Sequence, residues 1–381
     1  MLEKKHLEFR EKVRAFALEQ IEPLANTLDA EQRFHTEHMK PLTEMGLLSM
    51  LIPEEYGGKP TDTITYSIAV EEASRVCGST GITLAAHNSL GTFPILKFGS
   101  DEQKKRYLPR AAQGELIAFG LSEPDAGSDA GGTKTHAHRD GDNWIVNGSK
   151  CWITSATKAF ATIATARTSK DPKDRTITSF ILEKDWDGYA VGKKENKLGL
   201  RGSDTAFLHF DDLKCPVANQ LGEEGEGFKQ MLITLDGGRI SIGAMALGLG
   251  QGAFDCAVKY AAERVQFGKP IAYNQAIQHR LADMATELEA ARLMIYEASR
   301  MKDAGQPFSH YSAMAKLYAS EVARRAAESA LTILGSVGYL TGKYPAERVW
   351  RDVKLCEIGE GTSEIQRLVI ARHLLKQVQK T

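Results

Sequence analysis

The chain has 381 residues, 42% of them apolar and 25% charged, enough to bury a substantial core and to divide into two or three domains. Its 48 basic and 49 acidic residues leave a formal net charge of -1, which gives no electrostatic drive toward a polyanion and argues against nucleic acid as a partner. No uninterrupted apolar run approaches the roughly 20 residues of a membrane span, and the N-terminus lacks a signal-peptide core, so the expectation is a cytoplasmic protein without a membrane partner.

Residues 1–115 read as an N-terminal helical domain. In LEFREKVRAFALEQIEPLA, Leu7, Val13, Phe16, Ala17 and Ile21 approximate one apolar stripe, and Pro23 marks the expected exit. Ser100 is an N-cap candidate for the segment that follows it. Across residues 116–219 the texture changes to short β-branched and aromatic runs such as NWIVNGSKCWIT, FATIATAR, TITSFILEK and TAFLHFDDLKCPV, which predicts a small antiparallel β domain. Residues 220–381 return to helical spacing in long segments. Ile277, Leu281, Met284, Leu288 and Ala291 share one stripe, and SAMAKLYASEVARRAAESALTIL carries the small residues of a closely packed bundle helix. Ser363 with Gln366 forms a capping box for the last helix, with Ile365, Leu368, Val369 and Leu375 as its apolar side. The fold class is therefore mainly α with a β insert.

Two patterns look chemical and are read as structural. Gly248–Gly252 (GLGQG) resembles a dinucleotide-binding loop, but no strand precedes it and it sits inside a helical run, where glycines allow helices to approach. His136 and His138 lie two apart on a strand and could chelate, yet no third ligand is near in sequence, so a polar strand face is the simpler reading. Five scattered cysteines without a CxxC pair fit reduced thiols rather than disulfides or a zinc site.

Four stretches carry more. FGLSEPDAGSD (119–129), KCWITSA (150–156), ERVQFGKPIAYNQAIQ (263–278) and GEGTSEIQRLVIAR (359–372), in this order, resemble the acyl-CoA dehydrogenase family of flavoenzymes. PEEYGG, LGLRGSDTAFLHFDDLKCPVANQLG and LDGGR support the resemblance, which covers nearly the whole chain. It implies an N-terminal helical domain, a middle β domain and a C-terminal four-helix bundle, in agreement with the pattern read above. It also implies FAD as cofactor, an acyl-CoA substrate of fatty acid β-oxidation, electron-transfer flavoprotein as electron acceptor, and a homo-oligomer, usually a tetramer.

Carried over residue by residue, the resemblance places Phe119, Leu121 and Ser122 along the isoalloxazine and Ser128 near the entrance for CoA and flavin. Trp152 would pack on the flavin, followed by Ile153, with Thr154 donating to N5; residues two apart on a strand point to one face. Arg264 suits a pyrophosphate through its guanidinium fork, and with Gln266, Phe267 and Gln275 it would reach the flavin of a neighbouring subunit. Many members have a glutamine and a glycine pair where this chain has Thr332, Gly335 and Ser336; threonine has the shorter reach, while the small residue at 336 still permits close approach. Thr362 and Glu364 would meet the cofactor at the last helix. Asp236, Arg239 and Gly361 are implied substrate contacts, although Asp236 with Arg239 also suits a plain ion pair on a helix.

The stretch CEIGEGTSEIQR leaves Glu360 between two glycines, which fits either a solvated turn or a base that must approach a weakly acidic proton. By resemblance Glu360 is the base that removes the α-proton while a hydride passes from the β-carbon to flavin N5, and its own backbone N–H helps hold the thioester oxygen. Relatives with the base elsewhere carry a glutamate just before the arginine of LDGGR; this chain has Gly238 there. Many straight-chain members have a tyrosine at the position of Gly359, so a wider pocket and short-to-medium acyl groups, branched or cyclic ones included, are expected. An oxidase of the same fold is the alternative.

Overall fold

Helix propensity and apolar spacing organise the chain up to Ala112. The structure, a computed structural model, describes residues 2–169 and 176–379. Helix α1 (Lys4–Phe16) runs through a π-helical turn (Ala17–Ile21) into α2 (Glu22–Glu31). Pro23 therefore does not end the helix as expected. It stands in the first turn of α2, where the hydrogen-bond ladder is already interrupted by the wider turn and a missing N–H costs little. Within α1, Leu7 and Val13 are six residues apart and so lie about 120° from each other around the helix. Val13, Ala17 and Ile21 are buried, whereas Leu7 is 49% exposed and His6 turns inward to meet Asp62 at 3.1 Å.

Helices α3 (Thr36–Met45), α4 (Thr63–Val76), α5 (Gly78–Ala86), α6 (Phe93–Phe98) and α7 (Asp101–Ala112) complete this region. Ser100 does cap α7. Its hydroxyl accepts from the Gln103 N–H at 3.2 Å and the Gln103 side chain accepts from the Ser100 N–H at 3.1 Å, so two orphan donors of the helix start are satisfied together.

Strands β1 (Ile117–Gly120), β2 (His136–Asp140), β3 (Asn143–Thr154), β4 (Ala161–Arg167), β5 (Ile177–Glu183), β6 (Tyr189–Lys194), β7 (Thr205–Pro216) and β8 (Gln220–Leu221) form one sheet. Its order is β6-β7-β3-β2-β4-β5-β8, with β1 beside β4. Most neighbours are antiparallel, as expected. The exceptions are β1, which runs parallel to β4 with Ile117 opposite Ala161, and one parallel pair between His136 and Arg167. His136 and His138 both lie exposed on β2. A bulge in β3 shifts its register against β7 between Lys150 and Ile153. Bulges of this kind re-aim side chains, and here the result is an exposed Trp152.

The bundle follows: α8 (Gly227–Glu263), a hairpin of β9 (Val265–Gln266) and β10 (Lys269–Pro270), then α9 (Gln275–Asp303), α10 (Ser309–Leu334), α11 (Ala346–Asp352) and α12 (Ser363–Val378). Helix α8 is central, packed on α4, α9 and α10. By length and composition it could cross a bilayer, but 78% of its most apolar stretch is buried inside the protein, which makes it the core helix of the bundle. Gly248 and Gly252 face α4, where a Cβ on either would overlap the backbone carbonyls of Glu71 and Arg75. Close helix packing, not a nucleotide loop, explains that motif. The start of α12 differs from the expected capping box. Thr362 is the cap, accepting from the Ile365 N–H at 3.3 Å, and Gln366 is occupied elsewhere. The far end of α12 leaves Leu375 63% exposed.

Candidate active site

Where the sheet meets the bundle, the chain encloses a cavity of about 920 Å³. Its walls follow from helix and strand periodicity. Ile82, Ala86 and Leu90 recur every four residues on α5 and the π-helical turn after it, and so present one apolar face. Leu235, Arg239 and Ile242, four and three residues apart, share the face of α8 that borders the cavity. The sheet contributes two segments, Phe119 to Ser122 and Cys151 to Ser155, and the last wall is the turn around Glu360 with Ile365, Leu368 and Val369 of α12.

The two sheet segments are locked together. The Cys151 N–H donates to the Ser122 carbonyl at 2.9 Å. Behind them lies a buried ion pair, Lys150 Nζ to Glu123 Oε1 at 2.6 Å, with both side chains almost completely enclosed. Lys150 also donates to Thr165 Oγ1 at 3.2 Å and to the Leu121 carbonyl at 3.4 Å, while Glu123 accepts the backbone N–H of Lys134 at 2.6 Å. Every donor and acceptor so satisfied supports the turn after β1, since an unpaired charge at this depth would be costly. On the cavity side the Trp152 indole is 60% exposed, standing edge-on to Phe207. Thr154 faces the same cavity two residues on.

Glu360 sits on the opposite wall. Its backbone is left-handed at φ 54°, and Gly361 follows at φ 90°. A non-glycine residue in that region is uncommon and is held only by its surroundings. The grip comes from two helices: Lys316 of α10 donates to the Gly361 carbonyl at 2.7 Å, and the Gln366 amide donates to the same oxygen at 2.8 Å and to the Glu360 carbonyl at 3.3 Å. The Glu360 Oε2 atom is buried and has no hydrogen-bond partner. Burial pushes this carboxyl up to about 7, against the opposing pull of Lys316 and Arg239. Gly238 lies opposite, and a Cβ there would overlap Oε2. The glycine of LDGGR is thus the space into which the carboxylate fits. Such a group, poised near neutrality in an apolar cavity, can accept a proton from a weak carbon acid.

Of the residues singled out in the sequence, Phe119, Leu121, Ser122, Ser128, Trp152, Ile153, Thr154, Arg239, Glu360, Gly361 and Thr362 line this one cavity. Asp236 does not line it. It pairs with Arg239 and accepts from the Ser309 hydroxyl at 2.8 Å, while Arg239 borders the cavity. Arg264, Gln266, Phe267, Gln275, Thr332, Gly335, Ser336 and Glu364 also stand outside, all exposed, and the fold does not bring them to the cavity within one chain. Three residues were missed. Lys316 stood among small residues of α10, and its helical phase, shared with Ala313, Ala319 and Ser320, was the available sign of burial. Glu123 and Lys150 were quoted in motifs but not as a pair, because a contact 27 residues apart depends on the sheet.

Family profiles described as acyl-CoA dehydrogenase N-terminal, middle and C-terminal domains match residues 3–115, 118–213 and 225–375. Over 369 residues the chain is 50% identical to the probable acyl-CoA dehydrogenase YngJ of Bacillus subtilis, covering 96% of this chain and 97% of the relative. It is 49% identical to the mitochondrial short-chain specific acyl-CoA dehydrogenase of Rattus norvegicus, covering 97% and 90%. Butyryl-CoA dehydrogenase of Megasphaera elsdenii superposes with a TM-score of 0.95 at 40% identity, over 98% of this chain and 99% of that one. An acyl-CoA dehydrogenase complexed with FAD from Bacillus anthracis superposes at 0.93 and 31% identity, over 100% and 68%. With three domain profiles in order and relatives near half identity along its length, the chain belongs to the acyl-CoA dehydrogenase family.

Proposed function

We propose that the chain catalyses FAD-dependent α,β-dehydrogenation of a short-to-medium acyl-CoA, branched or cyclic acyl groups included, to the 2-enoyl-CoA, with Glu360 as the base that takes the α-proton. The observation that carries this reading is the Glu360 carboxylate, whose Oε2 is buried without a partner on the wall of an apolar cavity. The cavity fits a flat heteroaromatic ring: an indole stands exposed on one wall, and small residues with backbone groups flank it. Phe119, Leu121, Ser122, Trp152, Ile153 and Thr154 would hold the flavin, and Thr362 would meet it at the start of α12. Bound FAD supplies the two-electron acceptor for the hydride that leaves the β-carbon.

The chain's own residues do the rest. Glu360 receives the α-proton on Oε2, and its environment tunes it to do so near neutral pH. Leu90, Ile242 and the aliphatic wall exclude water, which strengthens every electrostatic contact made inside. Arg239 borders the carboxylate and limits how far its proton affinity climbs. At Gly359 a side chain is missing where the cavity is walled by Leu355, and a Cβ there would meet nothing closer than 3.5 Å. That room supports branched or cyclic groups beside the straight chains named for the short-chain and butyryl-CoA relatives.

Arg264, Gln266, Phe267 and Gln275, with Thr332, Gly335, Ser336 and Glu364, belong to the same proposal as contacts to the FAD of a neighbouring subunit in a homotetramer. Phe267 is 99% exposed and Tyr339 87%, and aromatic surface of that extent is what a second copy would cover. Ser128 at the cavity edge would meet the CoA arm. Electron-transfer flavoprotein as acceptor, and a cytoplasmic setting, complete the reading.

The test is an anaerobic absorbance titration of the purified protein with butyryl-CoA, hexanoyl-CoA, isobutyryl-CoA and a cyclic acyl-CoA. Bleaching of the flavin band is expected with at least one branched or cyclic ester as well as with butyryl-CoA. Glu360→Gln should bind the same esters with its flavin left oxidised. A yellow protein that no ester reduces would sink the assignment, and stoichiometric peroxide during aerobic turnover would turn it toward an oxidase.

A further inference from the structure

Resting on the reading of Glu360 as the base, we infer that Lys316 is a positioning residue for it: the buried amine, seated on the Gly361 carbonyl, fixes the left-handed turn that aims the carboxylate and places a positive charge beside it. The geometry is specific. Lys316 is fully buried, and its Nζ meets the Gly361 carbonyl at 2.7 Å. One turn later on α10, Ser320 donates to the Cys356 carbonyl at 2.8 Å. Helix α10 therefore holds both ends of the segment from Cys356 to Gly361, and Gln366 closes it from α12. A lysine at this depth gives up hydration that one carbonyl does not replace, so the position is an expensive way merely to fill space beside Ala313, Ala315 and Ala319.

Two charged side chains and one hydroxyl, from three helices, act with the base. Arg239 on α8 and Lys316 on α10 both favour the carboxylate form, and the Tyr66 hydroxyl on α4 feels Glu360 in turn. Burial lowers the Lys316 amine to about 8, with Arg239 acting in the same direction, while the Cys356 thiol, Glu360 and Glu357 favour the charged form. Arg239 is already paired with Asp236. Among the described residues Lys316 has no carboxylate on its nitrogen, which meets a peptide oxygen of the turn, and its field acts on Glu360 together with Cys356 and Glu357. Two effects follow that can be separated: a grip on the backbone, shared with Gln366, and a charge, which Gln366 lacks.

The experiment reads the pH profile of flavin reduction by butyryl-CoA in the flavin-loaded enzyme and in Lys316→Met, Lys316→Gln and Gln366→Leu. Removing the charge should move the rising limb up by about one pH unit in both Lys316 variants. Loss of the grip should lower the plateau rate about tenfold in Lys316→Met and in Gln366→Leu, the latter with its limb unmoved. Folded, flavin-loaded Lys316 variants whose limb stays within about 0.2 unit of the parent overturn the inference. If neither Lys316 variant folds, Gln366→Leu decides, since a plateau within about twofold of the parent shows that the grip does not position the base. Glu360→Gln runs alongside. Reduction that survives in Glu360→Gln removes the base assignment itself; reduction abolished there, with Lys316 variants like the parent, removes only the positioning role.

Discussion

The turn around Glu360 and the hairpin of β9 and β10 carry the same kind of sequence signal, a charged or polar residue beside glycine, and the fold treats them in opposite ways. Glu360 is held by Lys316, Gln366 and the space at Gly238, all from the same chain. The hairpin holds Arg264, Gln266 and Phe267 out in the open, with Phe267 at φ 51° and almost wholly exposed. One chain thus builds the seat of the buried carboxylate to the level of individual hydrogen bonds. The hairpin residues stand on the surface, outside the cavity. The contrast teaches that a charged or polar residue beside glycine reads alike in sequence whether the fold buries it or exposes it; under the proposed function, proton removal would belong to the protomer and the cofactor's far end to an assembly.

The largest test of that division is aimed at the protomer half. In Gly238→Ala the new methyl would occupy the place of Glu360 Oε2, and Leu90 Cδ2 at 3.0 Å from the same point leaves little room to recoil. Displacing a base by about 1 Å can cost on the order of a hundredfold in rate, so flavin reduction by butyryl-CoA should fall by about that factor. Flavin content should be unchanged, because the methyl lies on the wall opposite the sheet segments. Stopped-flow reduction with the flavin-to-protein ratio measured alongside checks it. A fall of less than about threefold would mean that the carboxylate relocates freely and that its seat is not built as described.

Most of this half was legible in the sequence, and the reasons are physical. Glu360 stood out between two glycines, which suit a solvated turn as well as a base, and the family resemblance implied the base. The same resemblance made Gly238 informative, since relatives with the base elsewhere carry a glutamate there. Helical periodicity gave α9 correctly, with Met284, Leu288 and Ala291 buried as the stripe required. It failed at Leu7, which stands six residues before Val13 in α1 and so about 120° away around the helix. The capping box at Ser363 failed for a different reason. Thr362 competes for the same role one residue earlier, and Gln366 finds a better acceptor in the turn before it. The pair of Glu123 with Lys150 was not legible, since it depends on a contact that only the tertiary fold creates, and for Lys316 helical phase signalled burial but not the carbonyl it meets.

A smaller effect is expected on the assembly half. Arg264→Ala or Phe267→Ala should weaken FAD retention by about tenfold, the scale of one lost charge-assisted hydrogen bond or one uncovered aromatic. The reduction rate per bound flavin should stay within about twofold of the parent. FAD release on dilution, followed by fluorescence, and sedimentation velocity read the two quantities. Variants that hold FAD and assemble like the parent would cut the hairpin out of the site and leave the cavity to bind cofactor alone.

The smallest effect concerns stability, and it separates the base from an ordinary structural carboxylate. The folded-state value for Glu360 is raised from 4.5 to about 7 by burial. Below 4.5 the folded and unfolded chains both hold the proton and the group is neutral to stability. Between 4.5 and about 7 the unfolded chain gives up its proton while the folded one keeps it, so stability falls with rising pH across that window and levels off above it. The whole shift corresponds to at most about 3 kcal/mol. Glu360→Gln cannot ionise and escapes this loss. Its melting temperature should therefore exceed that of the parent at pH 8 by a few degrees, and the gap should close at pH 4.5. A gap that is constant across the range would mean that Glu360 ionises in the folded protein as easily as in the unfolded chain, and a base that easily ionised has no buried seat to explain its place between two glycines.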